Sequence, residues 1–157
     1  MASRPVYLLI DGRTSKARGH FATFIPNASD INQTPSQNQP CTGTVIHVVG
    51  NPMIGFHHEF KRNYNTASST SFRSLAPAIL LGSVQQSLHA DPPSSTTNFS
   101  TDTSALGALD VAALQVPCPA KSDVRAPVDG VCACLLLLWT IITYPCCPGL
   151  ANMSSGS

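Results

Sequence analysis

The sequence predicts an α+β domain: a small antiparallel sheet with one or two helices. Three observations carry that reading. Apolar runs rich in β-branched residues, each closed by turn residues, recur through the first half. A later segment, Thr103–Pro117, spaces its apolar residues for a helix instead. The 157 residues are the length of one domain with room for a core.

The elements follow in chain order. "RPVYLLI", Arg4–Ile10, reads as a first strand closed by Asp11-Gly12, and a polar loop follows. "HFATFIP", His20–Pro26, reads as a second strand antiparallel to the first. Its alternation puts His20, Ala22 and Phe24 on one face and Phe21, Thr23 and Ile25 on the other. Residues 27–42 are polar, contain proline and lack apolar periodicity, which predicts a long loop. "GTVIHVVG", Gly43–Gly50, is a third strand with Val45, His47 and Val49 on one face. Asn51-Pro52 ends it, and "GFHHEFKRNYN" supplies a fourth strand with Phe56, His58 and Phe60 together.

Beyond Asn65 the reading is coarser. "AILLGSV", Ala78–Val84, suits a strand, and "SVQQSLHA", Ser83–Ala90, suits the start of a short helix. Residues 91–104 have the composition of a linker. The helix in Thr103–Pro117 would place Leu106, Leu109, Ala113 and Leu114 inward, with Ser104 as N-cap and Pro117 as the stop. From Val131 the character changes: residues 131–157 carry no charge and hold four of the six cysteines. Residues 1–130 therefore read as the domain, and 131–157 as an atypical apolar, Cys-rich tail.

Composition narrows the function classes. Charged residues make up 11% of the chain, against the ~25% of an average soluble domain. A net charge of +1 supplies no field for nucleic acid, so no nucleic-acid partner is expected, while a protein partner stays open. The apolar stretch before Asp11 is shorter than the ~7–15 residues of a signal peptide, which points to the cytoplasm. The apolar run from Val131 to Ile142 falls short of the ~20 residues of a membrane span, so no stable span is expected. Cys-x-Cys followed by Cys-Cys does not have zinc-site spacing, and no cofactor is expected. His57 and His58 are adjacent, so on a strand they face opposite ways and cannot share a metal. Glu59, the only glutamate, has Lys61 and Arg62 as near neighbours for an ion pair.

The combined pattern "RPVYLLI…GHFATFIPN…GTVIHVVGNPMIGFHHEFKRNY" resembles a group of small, uncharacterised fungal proteins. Their pattern runs His-Phe-Ala-aliphatic-Phe-Ile-Pro, then Gly-Thr-aliphatic-Ile-His-Val-Val-Gly-Asp-Pro-Met, then Gly-Phe, Glu-Phe and Arg-Asn-Tyr. The resemblance covers residues 4–65 and is weaker from Thr66 to Gly130. That group is in turn similar to the circularly permuted papain-like fold of NlpC-type hydrolases and lecithin-retinol-acyltransferase-like proteins. The resemblance implies a permuted papain-like α+β fold, with His20 as base and His47 as its orienting residue. It also implies a nucleophilic cysteine in a Cys-Gln-x-Trp-Thr-like motif opening a late helix. Here "VCACLLLLWT" offers Trp139-Thr140, with Cys134 five residues before the tryptophan, Cys132 seven before it, and no glutamine after either. The candidate nucleophiles are therefore Cys132 and Cys134, of which Cys134 is taken as the site residue.

With that motif missing, the expectation is a degenerate, non-catalytic domain with a binding or accessory role, such as an accessory in a biosynthetic gene cluster. Two alternatives stand beside it: a cysteine hydrolase or acyltransferase using His20, and a protein held at a membrane by the 131–144 segment. A retained intron or frame error accounts for the change after Gly130; divergence is the other explanation.

Overall fold

The computed structural model describes residues 2–11, 20–36, 38–51, 53–68, 78–119 and 121. The tail, with Cys132 and Cys134, lies outside them. Six strands form one sheet: β1 (Ser3–Asp11), β2 (His20–Pro26), β3 (Thr42–Asn51), β4 (Gly55–Asn65), β5 (Ile79–Gln85) and β6 (Ser100–Asp102). Their spatial order is β5-β1-β2-β3-β4-β6, with every pairing antiparallel. β1 to β4 form a meander, β5 returns to the outer side of β1, and β6 extends β4. One α-helix, α1 (Ala108–Leu114), follows.

The β3–β4 hairpin is the longest pairing. Its turn is held by Asn51, whose Oδ1 accepts from the backbone N–H of Met53 and Ile54 at 3.0 and 3.1 Å. Gly50, at φ +137°, gives the conformation that this turn needs and that L side chains rarely adopt. Asn51 pairs with Gly55, and the same register places His47 opposite Glu59.

Further along, β4 carries one extra residue between the Val45–Lys61 and Gly43–Tyr64 pairs. Asn63, at φ 50°, takes up the bulge in the left-handed region that asparagine tolerates. The bulge changes which face the side chains meet. Phe60 belongs to one face of the sheet, whereas Tyr64 joins the opposite cluster.

Each face has its own core. Val6, Ile25, Ile46, Val48, Phe60 and Val84 meet Leu109, Ala113 and Val116 from α1 and its exit. On the other face Tyr7, Leu9, Ala22, Phe24, Cys41, Val45 and Tyr64 pack together. Buried ion pairs fasten the covering segments. Arg62 Nη2 lies 2.8 Å from Asp110 Oδ2 of α1, with both side chains almost fully buried. The same guanidinium donates to the Ser104 carbonyl at 2.9 Å and sits 4.6 Å from the Phe60 ring centroid. Arg4 grips Asp91 through two hydrogen bonds of 2.5 and 2.9 Å.

The α+β, permuted papain-like expectation is therefore corrected. The architecture is mainly β: six strands in one sheet and a single seven-residue α-helix among the described residues. Three local misreadings explain the difference. The helix expected over Ser83–Ala90 is instead the end of β5 followed by a 3₁₀ turn, Gln86–Leu88. The linker 91–104 contributes β6, which pairs with Phe60–Arg62 of β4. The N-cap is Gly107, three residues later than Ser104, because Ser104 and Asp102 are engaged by Arg62. Within polar loop 27–42 the Asp30 carboxylate accepts from the Thr42 N–H, and Ala28–Asp30 forms a 3₁₀ turn.

Candidate functional site

Three adjacent strands bring His20, His47 and Glu59 into line on the face of the Phe24–Val45–Tyr64 cluster. His47 and Glu59 are direct partners across β3 and β4. Continuing the β2–β3 register by one residue sets Ala22 opposite His47, so His20 reaches it diagonally from the start of β2. Nε2 of His20 lies 2.8 Å from Nδ1 of His47, and Nε2 of His47 lies 2.9 Å from Oε1 of Glu59. The two rings meet edge to face, with centroids 5.1 Å apart and planes at 77°.

The proton positions in this chain follow from its outer end. His47 is buried at 2% exposure. Burial, then the charges of Lys61 and His20, push its imidazole down to about 4, against the opposing pull of Glu59. At neutral pH His47 is uncharged, and its contact with Glu59 is a charge-assisted hydrogen bond rather than an ion pair. A carboxylate only accepts, so the His47 proton sits on Nε2 and Nδ1 holds the lone pair. His20 must then donate from its Nε2, and in its neutral form the lone pair of His20 is on Nδ1. His20 is half-buried while His47 behind it is enclosed. Such an array can take up a proton at His20 and spread the charge toward Glu59.

His20 and His47, the two histidines singled out in the sequence, are thus in hydrogen-bond contact. Cys134, the third candidate, lies outside the described residues. Sequence reasoning offered Lys61 or Arg62 as ion-pair neighbours of Glu59, and His47 was not among them. Arg62 faces the other side of the sheet, with Asp102 and Asp110. The hairpin held the missed signal: counting back from the Asn51–Gly55 pair places Glu59 against His47.

A second pairing was invisible in the sequence. Cys118, four residues past α1, places its Sγ 3.2 Å from Nδ1 of His58 on the opposite face of β4. Cys41, by contrast, is fully buried, and burial with the charge of Asp30 pushes its thiol up to about 12, so it is unreactive. Among the described residues no group of three or more His, Cys, Asp or Glu side chains is placed to hold a metal ion. No described helix is long and apolar enough to cross a membrane.

Comparison with known families completes the picture. A family model matches residues 6–134, most of the chain, including His20, His47, Glu59 and Cys118. The chain belongs to DUF6540, a family of unknown function. Membership agrees with the coarser part of the resemblance, that of an uncharacterised family. No curated protein and no solved structure matches the chain. The DUF6540 match ends at Cys134, four residues into the apolar tail segment.

Proposed function

We propose that this DUF6540 protein is a cysteine-dependent hydrolase or acyltransferase in which His20 is the base and Cys134 the nucleophile. His47 and Glu59 are positioning residues. The reading rests on one observation, the His20–His47–Glu59 chain at 2.8 and 2.9 Å. Burying an imidazole whose protonation is disfavoured costs stability that an apolar side chain at the same place would not. Perturbed titratable groups of this kind concentrate at functional sites. The missing glutamine motif in the sequence favours an inert accessory domain; the intact array weighs against it.

The chemistry is acyl transfer. His20 Nδ1 takes the proton from the Cys134 thiol, and the thiolate attacks the acyl carbon of an ester or amide. The leaving group departs with that proton, and water or a second acceptor cleaves the thioester. His47 holds His20 in the tautomer that makes Nδ1 basic, and Glu59 holds His47.

Alkylation of the full chain with iodoacetamide at pH 6, read by peptide mapping, tests the pairing. An isolated thiol of pKa ~8.5 is well under 1% ionised at that pH, while a histidine-paired one titrates between ~3.5 and 7.5. The expected result is rapid labelling of Cys134, slowed at least about tenfold in His20→Gln. Equal, slow labelling in both proteins would overturn the proposal.

A further inference from the structure

We infer that Cys118 and His58 form a second thiol site, one that accepts a low-molecular-weight disulfide by thiol–disulfide exchange. The site lies on the α1 face of the sheet, opposite His20, and does not depend on the function proposed above. His58 projects from the middle of β4. Cys118 comes to it from the chain leaving α1, sixty residues away in sequence. Its sulfur is 3.2 Å from Nδ1 and 3.8 Å from Nε2 of His58. Cys118 is half-buried at the margin of the core, packed against the same cluster as Phe56 and Leu81, whereas Cys41 is fully enclosed. A thiol held against an imidazole and open on one side can meet a reagent and pass on its proton.

Burial acts on both partners in the same sense. It raises the Cys118 thiol above its ordinary value of 9.0. It lowers the His58 imidazole below 6.5, and the charge of neighbouring His57 adds to that. The nearest cation along the chain is Lys121, whose side chain lies against Gly55 at the start of β4. The resting pair is S–H donating to a neutral ring nitrogen. A minor form has the proton moved across, giving a thiolate beside an imidazolium, and that form is the nucleophile.

The exchange is balanced within the site. The Cys118 thiolate attacks one sulfur of the disulfide, a new S–S bond forms, and the old one breaks. The released thiolate receives the proton that His58 had accepted. One disulfide replaces another, so the exchange needs no further oxidant or reductant.

This mechanism has a signature in pH. Moving a proton within the pair neither takes up nor releases one, so the population of that form is constant between the two titrations, and while it carries the reaction the rate is flat in pH. A solitary thiol instead ionises tenfold more for each pH unit below its pKa. The full chain is incubated with oxidised glutathione, quenched in acid, and the Cys118 peptide quantified by mass spectrometry from pH 7 to 8.5. The expected rate changes by less than about twofold, where simple thiolate chemistry rises about 30-fold. In His58→Gln the flat profile becomes the steep one. A steep profile in the unmodified protein, or no adduct at Cys118, would overturn the inference, and neither outcome depends on the variant folding.

Discussion

Lowering the pH should destabilise this protein well before its carboxylates titrate, because two histidines are buried neutral. His47 and His89 are each pushed from 6.5 down to about 4, chiefly by burial. For His89 the charge of Arg4 adds to the effect, and those of Asp91 and Asp110 oppose it. Both rings bind a proton less readily folded than unfolded. Their contribution is therefore complete above about pH 6.5 and is lost as the pH falls toward 4. Linkage over that window gives about 2 kcal/mol lost per histidine by pH 5 and about 3 kcal/mol by pH 4. Together they remove about 4 kcal/mol by pH 5, a large part of the ~5–15 kcal/mol that holds a domain folded. His58 shifts in the same direction and adds to the loss. Urea unfolding followed by circular dichroism at pH 8, 6.5 and 5 measures it. His89→Phe should reduce the slope by about half, since it removes one of the two main titrations. A stability that varies by less than about 1 kcal/mol from pH 8 to 5 would refute the reasoning, because the linkage requires several times that.

Other perturbations have equally definite outcomes. Asp110→Asn strips the buried partner from Arg62 and should cost about 3–5 kcal/mol in urea unfolding, whereas Asp102→Asn, at a 32% exposed side chain, should cost under about 1 kcal/mol. Gly43→Ala would press a methyl group into the Ile25 carbonyl and to within 2.7 Å of the Phe24 ring, so the melting temperature should fall by an amount matching about 1–3 kcal/mol. Glu59→Leu leaves the His47 Nε2 proton without its acceptor and should cost about 1–3 kcal/mol in urea unfolding at pH 7.5.

How far the sequence carries can be judged residue by residue. The first four strands were legible because their apolar residues alternate, and that alternation put His20 beside Ala22 and Phe24, and His47 between Val45 and Val49. Their meeting was not legible from alternation alone, which gives faces but no register. Register came from the Asn51–Gly55 turn, which sets His47 against Glu59. The bulge at Asn63 was also hidden: an unbroken alternation would have put Tyr64 on the Phe60 face. Residues 91–104 read as a linker because they are polar. Polar residues can still be fixed when buried cations claim them, as Arg4 claims Asp91 and Arg62 claims Asp102. The pairing of Cys118 with His58 depends on where α1 docks, a tertiary fact with no local signal.

The central claim is the direction of the protons through His20, His47 and Glu59. Long-range ¹⁵N–¹H correlation spectra of the imidazoles at pH 7.5 read it directly. Both rings are predicted to carry their proton on Nε2 and a bare nitrogen at Nδ1, with His47 still neutral at pH 5.5. A proton on Nδ1 of either ring, or a charged His47 at that pH, would contradict it.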